Sequence, residues 1–496
     1  MTESPFLLTD VPFWCPENVY SDKFRWVLSH QPSNSTQWIC KPPRHGVAAL
    51  WVAFFSSRLR HRCCTVAEPH PDDALAFYRM LFDYGMANGM VGFEHDYLDY
   101  NFLSIPMLRR TYGAANKWLA GINTAALERK MPVQICMALP SDAMASVQFD
   151  SMTNVRSSTD YGINDDRDDT PVQPGGLFTD SNFDIGGSAL LAYALDLRPS
   201  KDILWTHRPD NCRGNHTEDP TACGRWDAHT NPGSNCELNS IVATLSTGPV
   251  SLADKAGDTN VTLVRRCVRA DGRIVQPDKP LTAVDSMFAQ AGGSGLQARA
   301  RTAPSGQVWA THTSLGSAVW HYVLSVDVDS PWKIHARDLY PMMPEEPAGS
   351  EPRWVAHSWF TGHAPTLCAH GSRALASGCV VASVKSAADI PAIHTARPIA
   401  VQNDTRAFDL LELAPVVHGW ALLGEVGKYV RVSRDRFDDV SFSASGIRLS
   451  LSGSAGETAA VVALQPLPHG DWRVLVQNVT FAGPKASLEF RSAEEQ

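Results

Sequence analysis

Between residues 71 and 257 the apolar positions follow two alternating rhythms. "PDDALAFYRMLFDYGMANG" (71–89) opens on Pro/Asp, repeats its apolar residues every three to four positions and stops at glycine, which predicts a helix. "MVGFEHD" (90–96) is a short apolar run of strand type, and "SIPMLRRTYGAANKWLAGINTAALERK" (104–130) returns to the helical period. "PVQICMAL" (132–139) and "MTNVRSS" (152–158) read as strands, with a short helix at "DAMASVQF" (142–149) between them. After a polar loop come a helix at "GGSALLAYALDL" (186–197), a strand at "DILWT" (202–206), a helix at "NCELNSIVATLST" (235–247) and a tight turn at "GPVSLADKAG" (248–257). Strands alternating with helices predict parallel βα units.

The rhythm changes from about residue 261. "NVTLVRRCV", "QVWATHTS", "VWHYVLSVDV", "GWALLGEV", "YVRVSR", "IRLSLSG", "AAVVALQP" and "WRVLVQNV" are short alternating runs separated by Gly, Pro, Asp and Asn, the pattern of an antiparallel β-sandwich. A Pro- and His-rich break at 330–400 is a place where two β subdomains could divide. Before residue 70, prolines interrupt the chain, and "VAALWVAFF" (47–55) is its strong strand candidate. The expected fold is therefore α/β: residues 1–260 form a (β/α)8 TIM barrel whose first strands are irregular or missing, and residues 261–496 form the C-terminal β-sandwich.

Spacing brings chemistry into this frame. A (β/α)8 barrel of about 250 residues repeats every ~31 residues. Asp96 and Asp160 lie 64 residues apart, so they fall at the C-terminal ends of strands two units apart, on the face where barrel enzymes keep their active sites. In "VGFEHDYLDYN", Glu94 and Asp96 share one strand face; the acids would equally suit the first turn of a helix, and Asp99 rivals Asp96 as a nucleophile. In "VRSSTDY", Arg156 precedes Asp160 and Tyr161, a grouping that serves a general acid with an orienting cation or a turn with a surface ion pair. In "SKDILWTH", Asp202 and Trp205 could bind sugar hydroxyls and stack on a ring. Two carboxylates on nearby strand ends, with an arginine and aromatics, fit retaining glycoside hydrolysis, which needs no metal and no cofactor.

Composition narrows the partners. The net charge of −9 is spread without basic blocks, which excludes the clustered basic face of a nucleic-acid binder and leaves an oligosaccharide or glycoside as the expected partner. The sequence contains no apolar run long enough for a membrane-spanning helix. Sequons at Asn34, Asn215, Asn260, Asn403 and Asn478, and eleven cysteines, including Cys212, Cys223 and Cys236 in one loop where a disulfide is plausible, point to a secreted or lumenal protein. The start "MTESPFLLTD" does not read as a signal peptide, so a cytoplasmic location stays open.

These motifs resemble glycoside hydrolase clan D, nearest the raffinose synthase and alkaline α-galactosidase branch of family 36, over residues 75–290. "FEHDYLD" resembles the family's Lys-x-Asp nucleophile motif at Asp96. "RSSTDY" resembles its Arg-Ala-Ser-Asp-Asp-Phe acid/base motif at Arg156 and Asp160, with Tyr161 in the aromatic place. "PSKDILWT" is a weaker counterpart of Pro-Asp-Trp-Asp-Met-Phe at Asp202, and "LSTGPVSLADKAG" is similar to Ile-Ser-Gly-Gly-Pro-Val-Tyr-Val-Ser-Asp-Lys-Pro-Gly. The resemblance implies a retaining α-galactosidase, with Asp96 as nucleophile, Asp160 as acid/base, and Arg156, Asp202, Trp205, Glu94 and Tyr161 around the sugar. Glu94 stands where the family has lysine. The alternatives are an α-galactosyltransferase of the raffinose synthase type and a catalytically degenerate carbohydrate-binding protein.

Overall fold

The structure is a computed structural model, and it describes residues 24–28, 67–96, 98–138, 140–157, 185–201, 203–204, 206, 236–252, 254, 256–285, 307–326, 334, 338–341, 354–359, 381–384, 408–467 and 472–492. It is mixed α/β, with a parallel sheet and larger antiparallel sheets. The chain divides into two compact units, one of Met1–Asp202 with Asp210–Pro232 and one of Ile203–Pro209 with Gly233–Gln496.

In the first unit, β1 (Trp26–Leu28) and β2 (Ala67–Pro69) pair antiparallel. Then follow α1 (Ala74–Ala87), β3 (Phe93–His95), α2 (Leu98–Ser104), α3 (Pro106–Arg110), α4 (Ala114–Leu127), β4 (Val133–Ile135), α5 (Pro140–Ala145), β5 (Met152–Arg156), α6 (Ile185–Ala194) and β6 (Arg198–Ser200). Strands β3-β4-β5-β6 form one parallel sheet in sequential order. The predicted strands at 90–96, 132–139 and 152–158 are therefore present, each reduced to three to five residues.

Helix α1 buries Ala74, Phe77, Tyr78, Leu81 and Phe82, the i, i+3, i+4, i+7, i+8 stripe that its sequence predicts. Phe77 and Phe82 are fully buried, and burial of such a side chain contributes about 1.5–3 kcal/mol. Asp73 occupies the N-cap position, but its carboxylate accepts from the Arg25 backbone (2.8 Å) and guanidinium (2.7 and 2.9 Å) instead of capping the helix. The stripe packs with Phe93, Val133, Ile135 and Val155 of the sheet and with Trp118, Leu119, Ile122, Ala125 and Ala126 of α4 in one apolar core. The stretch 104–130, predicted as continuous helix, is split. Thr111 takes an extended conformation and Gly113 a φ of 75°, a left-handed backbone that glycine enters at little cost, and α4 starts from there.

The second unit contains β7 (Ile203–Leu204), α7 (Cys236–Leu245) and β8 (Ser251–Leu252), the two strands pairing parallel. The predicted turn at 248–257 thus includes a short strand. Next come α8 (Val261–Arg265), β9 (Thr282–Ala283), β10 (Gln307–Leu315), β11 (Ala318–Val326), β12 (Trp354–Ser358), β13 (Val381–Val384), β14 (Phe408–Val417), β15 (Trp420–Glu425), β16 (Phe437–Ser443), β17 (Gly446–Ser452), β18 (Thr458–Pro466), β19 (Trp472–Thr480) and β20 (Lys485–Arg491). A nine-stranded sheet runs β19-β18-β15-β14-β11-β10-β9, with β12 and β13 joined through β14, and β16-β17-β20 form a separate sheet. The pairing of β11 with β14 puts strands from both sides of the Pro/His-rich break into one sheet, and β12, from within the break, joins the same sheet through β14.

Two expected strands take other forms. "NVTLVRRCV" contains α8, because the Asn260 side chain accepts from the Leu263 amide (3.2 Å) and starts a helix, outweighing the apolar alternation that follows. "YVRVSR" is a buried irregular segment. Its backbone bonds leave the ladder: the Arg431 carbonyl accepts from the Glu425 amide (2.7 Å), and the Val432 amide donates to the Tyr322 hydroxyl (3.0 Å). Gly424, at a bulge in β15 with φ 87°, allows this approach, since a Cβ there would lie 2.2 Å from the Arg431 oxygen. Among the described residues no helix is long and apolar enough to cross a membrane.

Candidate functional site

The parallel sheet of the first unit has two unlike faces. Register pairs Glu94 with Gln134 and Gln134 with Asn154, and the alternation of side chains puts these three on one face. The residues between them, His95, Ile135 and Val155, point to the opposite face, toward the apolar core. One step further along each strand, Asp96, Cys136 and Arg156 follow on the polar face, at the C-terminal ends of β3, β4 and β5.

The polar face is hydrogen-bonded across the strands. Asn154 donates its Nδ2 to Gln134 Oε1 (3.1 Å), and Asn154 Oδ1 accepts from the Thr153 hydroxyl (2.5 Å). Gln134 and Cys136 hydrogen-bond to the Glu94 carboxylate. Arg156 Nη1 donates to Cys136 Sγ at 3.5 Å. Burial and the neighbouring Asp96 charge push the Glu94 carboxyl above its ordinary pKa, against the hydrogen bonds and the weaker pull of the Arg156 cation. Two carboxylates thus stand together on one face, and Glu94 is pushed toward its protonated form. Met137, directly after Cys136, has a φ of 47°, in the sparsely populated left-handed region.

The strand end is fixed by the ladder. The His95 carbonyl accepts from the Cys136 amide (2.9 Å), and the Leu98 amide donates to the Cys136 carbonyl (3.3 Å), so the chain turns from β3 into α2 across Asp96. On the far face the buried His95 ring packs edge-on against Trp118 (centroids 5.1 Å apart, planes at 82°) and against Phe93 (5.8 Å, 89°).

Of the site residues expected from sequence, Glu94, Asp96 and Arg156 come together on this face. Asp160, Tyr161, Asp202 and Trp205 lie outside the described residues, as does the side chain of Asp99. Gln134, Cys136 and Asn154 complete the polar row and escaped the sequence reading. Their signal was Gln134, the single polar residue of an otherwise apolar strand, and Asn154, two positions before Arg156 and so on the same strand face. In "LSTGPVSLADKAG" the Asp254 carboxylate accepts from the Thr206 backbone amide (2.9 Å) and hydroxyl (2.7 Å), and the Asn260 amide donates to the same hydroxyl (2.7 Å). The aspartate of that motif therefore ties its loop to the end of β7. Among the described residues no cluster of three or more His, Cys, Asp or Glu is arranged to hold a metal ion.

No protein-family model matches the chain, and no curated protein matches it either.

Proposed function

We propose that the chain is a retaining glycoside hydrolase acting on α-galactosides through the polar face at the C-terminal ends of β3–β6. The observation that carries this reading is the meeting of Asp96, Glu94 and Arg156 at the C-terminal edge of a parallel sheet whose other face packs on helices. The sequential order β3-β4-β5-β6 supports barrel-type winding over a doubly wound sheet, whose strand order reverses at its binding crevice.

In this reading the Asp96 carboxylate attacks the anomeric carbon as the bond to the leaving oxygen breaks, and Asp160 gives that oxygen its proton. The glycosyl ester on Asp96 is then opened by water, whose proton returns to Asp160. Arg156 holds sugar hydroxyls beside the nucleophile. Glu94, whose carboxyl burial and the Asp96 charge push toward the protonated form, lines the same face beside the nucleophile. With a sugar hydroxyl in place of water, the same steps give an α-galactosyltransferase. The sequons and the cysteines support a secreted or lumenal setting.

Asp96→Asn should lower turnover of an aryl α-galactoside by at least about 1,000-fold, within the range seen when a nucleophile is removed, while leaving the thermal midpoint near that of the wild type. Wild-type turnover in the Asn variant would rule out Asp96. A second reading, a catalytically silent sugar-binding protein, is favoured by one feature, the acidic Glu94 in the place of the family's lysine. Galactoside binding by calorimetry with no turnover by the wild-type chain would select it.

A further inference from the structure

Behind β3, three buried polar side chains from three elements meet in a region otherwise apolar. Glu68 of β2, Tyr78 of α1 and His95 of β3 are each no more than 5% exposed. The Tyr78 hydroxyl lies 3.0 Å from His95 Nε2 and 3.5 Å from Glu68 Oε2, and His95 Nδ1 lies 3.2 Å from the backbone oxygen of Asp96. We propose that Glu68, Tyr78 and His95 form a one-directional hydrogen-bonded chain that holds the Asp96 carbonyl from behind the sheet, making His95 the positioning residue for the Asp96 carboxylate.

The chemistry of each atom sets the direction. The Asp96 carbonyl can only accept, so His95 carries its proton on Nδ1. In a neutral ring Nε2 is then bare and accepts from the Tyr78 hydroxyl. That leaves the Tyr78 oxygen as an acceptor, which a protonated Glu68 satisfies. An ionised Glu68 would draw the Tyr78 proton to itself and leave Nε2 needing a proton of its own, forcing either an imidazolium into the core or a bare Nδ1 against a carbonyl oxygen. Burial favours the neutral set, because it pushes the Glu68 carboxyl up to about 8 and the His95 imidazole down to about 4.

The point of attachment gives the chain its use. The ladder to β4 engages the His95 carbonyl and the Leu98 amide, and the His95 ring engages the carbonyl between them. Asp96 thereby has backbone anchors from the ladder at the strand edge and from the His95 ring behind the sheet, at the place where β3 turns into α2. The positioning role rests on the proposed reading of Asp96 as nucleophile; the hydrogen-bonded chain does not.

The test uses the full-length protein labelled with 15N-histidine and with 13C at aspartate carbonyls. The His95 signal, assigned by its loss in His95→Asn, should show a neutral ring protonated at Nδ1 from pH 5 to pH 7, below the range in which Glu68 ionises. An imidazolium or a ring protonated at Nε2 would overturn the chain. His95→Leu should shift the Asp96 carbonyl resonance, and His95→Asn, whose amide can donate from the place of Nδ1, should leave it near wild type. Equal shifts in both variants would overturn the positioning role. With an aryl α-galactoside, His95→Leu should lower kcat about 10- to 100-fold at nearly constant KM, and His95→Asn should stay within about threefold of wild type. Equal losses in the two variants would also sink it. A wild-type chain with no turnover would overturn the glycosidase reading, and the two resonances would still decide the chain.

Discussion

The polar face of the parallel sheet and the buried ion pairs of the antiparallel sheets use the same residue types to opposite ends. In the second unit Arg436 is 1% exposed and its guanidinium is saturated. It donates Nε to Glu425 Oε2 (2.7 Å), Nη1 to the Ser452 carbonyl (2.6 Å), and Nη2 to Glu457. Lys428 donates to the carbonyls of Arg265 (2.6 Å) and Val268 (2.5 Å). Around Arg436 and Lys428 each charge meets an opposite charge or a fixed backbone dipole, and the Glu457 carboxyl sits below its ordinary pKa in consequence of its bonds to Arg436 and to backbone amides, in spite of burial. On the parallel sheet, Glu94 meets neutral partners in Gln134 and Cys136, a like charge in Asp96 and only a weak pull from Arg156, and its pKa moves up. A saturated charge pins strands together. A carboxyl left between a like charge and neutral donors keeps chemical capacity at some expense of stability.

The largest expected effect tests the saturated side. Arg436→Met strands Glu425 and Glu457 in the core and should cost about 3–5 kcal/mol, read as a lower denaturant midpoint for the antiparallel region. A loss below about 1 kcal/mol, the range of a surface pair, would erase the contrast.

The next effect concerns Glu68, whose carboxyl burial pushes up to about 8 from the ordinary 4.5. The folded state holds this proton more tightly than the unfolded state. Its contribution is therefore complete below about pH 4.5 and is lost as pH rises toward 8. The slope approaches about 1.4 kcal/mol per pH unit for one proton. Glu68→Gln keeps a neutral donor and should flatten this part of the stability–pH profile, measured by urea unfolding at pH 5 to 8. A variant that follows the wild-type slope would assign the proton elsewhere.

The smallest effect sharpens the site itself. Glu94→Gln removes the like charge beside Asp96 and keeps a hydrogen-bonding group. It should raise stability at pH 7 by about 0.5–2 kcal/mol and alter the acid limb of the turnover profile. A loss of stability instead would place Glu94 among the structural pairs.

Much of this was legible along the chain, for identifiable reasons. The α1 stripe from Ala74 to Phe82 and the alternation in β10, β11, β17, β18 and β19 are local periodicities, and the folded elements follow them. Glu94, Asp96 and Arg156 were legible as acids and a cation at the ends of apolar runs. What defeated the pattern was competition from single contacts: Asn260 capping α8, Gly113 ending a helical run, and the Tyr322 hydroxyl drawing residues 429–434 out of the ladder.

By itself the sequence determined the helical and strand periods, the side of each strand that is polar, and the acids at the end of β3, because side-chain direction repeats with fixed local geometry. Only the tertiary structure decided that Gln134, Cys136 and Asn154 join Glu94, Asp96 and Arg156 in one row, and that Glu68 and Tyr78 reach His95 behind it. Those meetings depend on strand register and on helix packing between residues far apart in the chain. No local period encodes them, and they form when the apolar core closes around α1, α4 and β3–β5.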